Sequence, residues 1–214
     1  MSIVKSTVYE SHPVSGVEIH FWKLTEALDD LCGMLTDKTV LSEAPYVTFK
    51  SDKRKREWVA VRVLLGQVCR QPVSICYKSN GKPFLEPRIS EFSISHTKSV
   101  VAIALSECSV GIDVEQIGAR PLSLRAQYLS NDDFDPASVE FAELMATFMW
   151  SAKESVYKLV GVPGVELKAD IRMQVQHIGA DFTIFYAEIS RLHLKAMVNC
   201  YAYETFVLTV ATFC

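Results

Sequence analysis

The sequence contains no CxxC pair, no glycine-rich phosphate loop and no long apolar run, and each absence removes a class of protein. Its six cysteines (Cys32, Cys69, Cys76, Cys108, Cys200 and Cys214) stand apart, mostly among apolar neighbours. That fits reduced, packed thiols better than a disulfide framework or a zinc site. Neither GxxxxGKS/T nor GxGxxG occurs, so the P-loop and Rossmann classes lose their signature. There is no GxSxG nucleophile turn and no HExxH metalloprotease helix. The N-terminus lacks a basic start followed by an apolar core, and no apolar run reaches bilayer-spanning length. The expectation is a cytoplasmic protein with no membrane partner. Positive charge is not in excess either: 22 Lys and Arg stand against 25 Asp and Glu, a net charge of -3. This argues against a nucleic-acid partner bound through overall charge and leaves room only for a local anion site.

What is present is ordinary in bulk and unusual in places. Over 214 residues, 49% are hydrophobic and 22% charged, a soluble globular composition with room for one large domain or two small ones. The pattern suits a strand over 17–22 and a helix over 24–35 whose apolar positions are Leu24, Ala27, Leu28, Leu31 and Leu35. A stronger helix starts at Ser51 or Asp52 and runs to about Arg70, ahead of Gln71-Pro72, with Trp58, Val61, Leu65 and Val68 as its buried face. Lys53, Arg54, Lys55 and Arg56 crowd its first turns, the end the helix dipole makes unfavourable for cations. A solvated basic face explains such a run; so does a phosphate partner. Asn80-Gly81 marks a turn between strands 73–77 and 83–85. Strand 92–96 ends in Ser95 and His96, and the stretches 100–105 and 110–115 read as a hairpin that brings His96 and Asp113 to one end. Asp135-Pro136 is an N-cap and first-turn proline that opens a long helix ending at Gly161. The remaining chain alternates strands over 171–175, 182–189, 194–203 and 205–212, an antiparallel sheet.

Two stretches carry charge that packing does not ask for. In Val110-Gly111-Ile112-Asp113-Val114-Glu115 a strand buries the aliphatic set and projects both carboxylates from its other face. In the long helix, Phe141, Leu144, Met145, Phe148, Ala152, Val156 and Leu159 form one stripe, while Trp150, Glu154, Tyr157 and Lys158 form another. Asp113, Glu115 and Glu154 make a three-carboxylate set suited to a hard cation such as magnesium. Against this, Glu154 and Lys158 stand four apart in the order of an ordinary surface ion pair. With the basic helix start, Lys82, Ser95 and His96, the set describes a pocket for a polyphosphate ligand.

Four motifs, Asn80-Gly81-Lys82-Pro83, Phe92-Ser93-Ile94-Ser95-His96, Gly111-Ile112-Asp113-Val114-Glu115 and Trp150 to Gly161, occur in an order and spacing that resemble the 4'-phosphopantetheinyl transferases of the Sfp type. The resemblance covers residues 50 to 161. It implies transfer of the phosphopantetheine arm of coenzyme A to a serine of an apo acyl or peptidyl carrier protein, with magnesium as cofactor and adenosine 3',5'-bisphosphate released. It implies an α+β fold of two similar halves related by pseudo-two-fold symmetry, antiparallel sheets packed with a long helix. Residues 1–110 would supply the coenzyme's 3'-phosphate and pyrophosphate contacts, and 111–214 the metal ligands and catalytic helix. Position by position, Asp113, Glu115 and Glu154 resemble the magnesium ligands, with Glu154 and Lys158 at the chemical step. Lys158, Ser95, His96 and Lys82 resemble coenzyme contacts, and Arg56 and Arg62 resemble the basic residues that meet the 3'-phosphate. A second reading, a regulatory module that binds coenzyme A or a nucleotide without turnover, has less need of three carboxylates.

Overall fold

The computed structural model describes residues 6–7, 16–69 and 71–214. The expectations about the first residues and about Arg70 lie outside them. In chain order the N-terminal half holds strands β1 (Ser6–Thr7) and β2 (Val17–Lys23) and helices α1 (Leu28–Met34), α2 (Ala44–Thr48) and α3 (Asp52–Val68). The hairpin strands β3 (Ser74–Tyr77) and β4 (Pro83–Glu86) follow, then β5 (Glu91–His96) and β6 (Val100–Ser106). The C-terminal half holds β7 (Val110–Gln116), the short α4 (Ala119–Ser123) and α5 (Arg125–Tyr128), and the long α6 (Ala142–Val160). It closes with β8 (Ile171–His177), β9 (Phe182–Ile189), β10 (Leu194–Ala202) and β11 (Phe206–Phe213).

Among the described residues a four-stranded sheet runs β1-β2-β6-β5 and a five-stranded sheet β7-β11-β10-β9-β8, with β3-β4 as a separate ribbon. All pairings are antiparallel. Each large sheet carries one long helix on its outer face. In the N-terminal half, α3 packs Trp58, Val61, Leu64 and Leu65 against Trp22, Val101 and Ile103, with Leu31 and Leu35 closing the side. In the C-terminal half, Met145, Phe148, Ala152, Val156 and Leu159 of α6 meet Phe185, Ala187, Val198 and Val207. A third cluster lies between the inner faces of the two sheets, where Val17, Ile19, Phe21, Ala102 and Ala104 meet Ile112, Val114, Phe206, Leu208 and Val210. Strand alternation produces this layering, since each inner strand buries both of its faces.

Several boundaries differ from expectation. The stretches 100–105 and 110–115 are strands but not a ladder: β7 pairs with β11, register Asp113↔Thr209, and belongs to the other sheet. Its remaining edge is met by side chains. The Ile112 and Val114 amides donate to the Ser93 and Ser95 hydroxyls of β5 at 3.0 and 3.2 Å. Helix α1 starts only at Leu28, because Leu24 continues the sheet and its amide bonds the Ser99 carbonyl. Asp135 does cap, accepting from the Ala137 amide, but what it opens is the 3-10 turn Pro136–Ser138. Val139 then returns to extended backbone, and α6 starts at Ala142. Gly161, left-handed at φ 58°, ends α6 as expected.

Candidate active site

Gly111, Asp113 and Glu115 share the face of β7 that α6 covers. A Cβ on Gly111 would stand 2.0 Å from the Ser155 carbonyl oxygen and 2.6 Å from the Leu159 nitrogen, so only glycine allows the helix to lie this close. The close approach brings three side chains of α6 onto the carboxylates of β7. Ser151 Oγ donates to Asp113 Oδ2 at 2.8 Å, and Lys158 Nζ donates to Asp113 Oδ1 at 2.7 Å and to the Ile112 carbonyl at 3.1 Å. Trp150 Nε1 donates to Glu115 Oε1 at 3.1 Å. From the other sheet, Ser95 Oγ adds a bond to Asp113 Oδ1 at 2.8 Å. Asp113 is thus 4% exposed yet fully partnered, as a buried carboxylate requires.

Burial pushes the Glu115 carboxyl above the usual carboxylate range, and the charges of Asp113 and Glu154 push the same way, against the Trp150 bond and Lys158. Glu154 is raised by burial and then by Asp113, with Lys158 opposing. Three carboxylates therefore feel one another in a low-dielectric place. Hard oxygen donors under mutual repulsion fit a divalent cation such as magnesium in chemistry. As the side chains stand, no group of three Asp, Glu, His or Cys among the described residues closes to metal-holding spacing. The cation nearest Asp113 is Lys158 itself.

Facing Asp113 and Glu115 across a cleft of about 380 Å³ are Arg54, Arg62 and His96 of the N-terminal half, with Lys158 at the boundary; Glu154 is not among the residues that line it. His96 Nδ1 lies 3.4 Å from the buried Glu57 carboxylate, and Nε2 lies 3.4 Å from Arg54 Nη1. Burial holds the His96 pKa below its ordinary value; Glu57 pulls it up, while Arg54, Lys158 and Lys53 push it down. Arg62 lies at 3.2 Å over the Trp58 ring and pairs with Glu43 at 3.5 Å. Arg56 is not brought into the cleft. Its guanidinium is engaged by the Glu26 and Lys98 carbonyls on another side of α3. The cleft-lining residues 54, 57, 58, 61 and 62 of α3 have helical spacing, so the face that holds Trp58 and Val61 contains Arg54 and excludes Arg56. That periodicity was the available signal. Lys82 lies in an adjoining cavity of about 370 Å³ between the ribbon turn and the end of α6. There its Nζ donates to the Leu159 carbonyl at 2.8 Å. Ser151 and Gly111, which no charge pattern marks, also belong to the site. A larger cavity of about 640 Å³ behind α3 is bordered by Asp37, Glu43, Glu86 and Arg62, more acid than base and a poor match for an anion.

Fold and cleft define a class: two α+β halves of antiparallel sheet and outer helix, with carboxylates of one half facing cations of the other. Residues 109–211 match the profile of the 4'-phosphopantetheinyl transferase superfamily. Over 88 residues the chain is 32% identical to the 4'-phosphopantetheinyl transferase psf-1 of Bacillus pumilus, a stretch covering 39% of this chain and 38% of that one. Over 107 residues it is 31% identical to the 4'-phosphopantetheinyl transferase gsp of Aneurinibacillus migulanus, covering 47% and 45% respectively. The superfamily match falls on the C-terminal half of the chain, and together with these two relatives it supports the Sfp-type resemblance of the motifs. The matched stretches span less than half the length of these relatives.

Proposed function

We propose that the protein transfers the 4'-phosphopantetheine arm of coenzyme A to a serine of an apo acyl or peptidyl carrier protein. The observation that carries this reading is Asp113, buried yet bonded by Lys158, Ser151 and Ser95, at the border between an acidic wall and a basic one. A cleft with both signs suits a ligand whose phosphates need cations from the protein and a metal held by its acids. In this reading Asp113, Glu115 and Glu154 hold magnesium, which when bound neutralises charge on the coenzyme's pyrophosphate.

The chain's own residues have separate tasks. Arg54, with His96 and Arg62, binds the 3'-phosphate. Lys158 bonds an oxygen of the pyrophosphate and steadies it as the bridging P–O bond breaks. The acceptor serine oxygen forms the new P–O bond, its proton passes to the Glu154 carboxylate, and adenosine 3',5'-bisphosphate leaves with the electron pair. The pseudo-two-fold relation of the halves belongs to the same reading, supported by one antiparallel sheet and one long helix in each.

The test is incubation with coenzyme A, magnesium and a panel of apo carrier proteins, read by intact mass. At least one carrier should gain the phosphopantetheine mass, and its serine-to-alanine variant should gain none. Coenzyme A binding without mass gain on any carrier would favour the non-catalytic module instead.

A further inference from the structure

The last turn of α6 carries Lys158, and the other half of the molecule holds its end. A helix leaves its final carbonyls without partners inside the helix. Here Leu159 gives its carbonyl to Lys82 Nζ at 2.8 Å, and Gly161 gives its carbonyl to Asn80 Nδ2 at 2.5 Å. Both donors come from the β3–β4 turn of the N-terminal half, some 80 residues away in sequence. The turn is built for it. Asn80 Oδ1 accepts from the Lys82 amide at 3.1 Å, which fixes the asparagine so that its amide group points outward. Lys78 and Gly81 close the same turn with backbone bonds. Gly161 completes the fit: a Cβ there would lie 2.6 Å from Lys82 Cδ, so the lysine stem rests on the glycine backbone. Burial lowers the Lys82 pKa, the direction expected for an ammonium enclosed against a helix end.

We infer that the β3–β4 turn is a positioning clamp for α6, with Asn80 and Lys82 as positioning residues that act through Lys158. The last turn is held from two sides, by Lys158 on β7 and by the clamp from the other half. Helix ends fray when their carbonyls lack partners, on a free-energy scale far below global unfolding. Loss of the clamp lets the last turn open and takes Lys158 away from the position at which it meets a phosphate oxygen. The effect falls on the chemical step, since placement errors near 1 Å can lower rates by about 100-fold. Coenzyme binding through Arg54 and His96 lies elsewhere in the cleft.

The kinetic arm of the test rests on the proposed transfer reaction; the exchange arm does not. Asn80→Asp keeps the acceptor that forms the turn and removes the amide donor to Gly161. Lys82→Met keeps the stem and removes the ammonium. In hydrogen–deuterium exchange, amides 158–161 should exchange roughly tenfold or more faster in both variants, with β8 to β11 unchanged. For Asn80→Asp, kcat should fall about tenfold, with the KM for coenzyme A within about twofold of the parent. Unchanged exchange in both variants overturns the clamp. Faster exchange with parental kcat overturns its catalytic consequence, and a loss seen wholly in KM places Asn80 at the ligand instead. A parent protein that transfers nothing counts against the proposed reaction, while exchange still decides the clamp.

Discussion

Asp113 has three donors on two oxygens, so its removal does two separable things. Asp113→Ala leaves the Lys158 ammonium and the Ser95 and Ser151 hydroxyls without their acceptor. This should lower stability by about 1–3 kcal/mol. Asp113→Asn keeps an acceptor of the same shape and should cost less stability, yet both variants should lose transfer activity. Urea unfolding beside a carrier-protein assay separates the two effects, and an active Asp113→Asn would remove Asp113 from the reaction. His96 yields a pH prediction. Its folded pKa lies below the ordinary 6.5 because burial outweighs Glu57, with Arg54, Lys158 and Lys53 adding to the depression. The folded state therefore binds fewer protons than the unfolded chain, so stability is fully present above about pH 6.5 and declines as pH falls through the lowered value. His96→Gln should flatten that decline, measured as the change in urea midpoint between about pH 7.5 and 5.5.

Helix α6 is held in rotation as well as in place. Lys153, one residue before Glu154, is wholly buried and donates to Asp133 Oδ2 at 2.7 Å, to the Leu167 carbonyl at 2.9 Å and to the Ile171 carbonyl at 2.6 Å. Asp133 also takes the Met173 and Ser130 amides, so the pair ties helix, loop and β8 together. Lys153→Met strands a buried carboxylate and should destabilise by about 3–5 kcal/mol, read by chemical denaturation. Opposite it, Gly111→Ala forces α6 off β7. Overpacking of this kind costs about 1–3 kcal/mol, and transfer should fall further than stability, since Ser151 and Lys158 retreat from Asp113 together. The buried stripe of α6, its end at Gly161 and the pairing of carboxylates on β7 were legible in the sequence, because each is a periodic or capping signal within one element. The start of α6 was not. An N-cap reports that a turn begins, not how long it lasts, and Asp135 begins a turn of three residues. The functional role of Gly111 was hidden for a related reason: a residue without a side chain shows its purpose only when the neighbour it admits is known.

At the scale of the whole molecule, partners far apart in sequence decide what periodicity leaves open. Strands β6 and β7 look like a hairpin because three residues separate them, yet β7 pairs with β11, almost a hundred positions later. Alternation states that a strand exists and which face it buries, but carries no record of its neighbour. The same limit separated Asn80 from α6. The cluster between the sheets takes residues from both halves, and each buried aliphatic or aromatic side chain there contributes about 1.5–3 kcal/mol. Fragments 1–109 and 110–214 expressed apart should therefore remain unfolded or aggregate, and mixing them should restore circular dichroism and cooperative melting. Independent folding of either fragment would show that the inner cluster is dispensable.

The serine contacts along β7 have a mechanical consequence. Within each sheet, neighbouring strands share backbone ladders, and a load applied along a ladder such as β10–β11 is spread over many bonds that must fail together. Between β5 and β7 the backbone of one strand meets hydroxyls of the other, at Ser93 and Ser95, and two such bonds can fail one after the other. Pulled from its two ends, the molecule should part first along this line, at a force below that needed to shear β10 from β11. It would then extend as two sheets still intact and joined by the turn after β6.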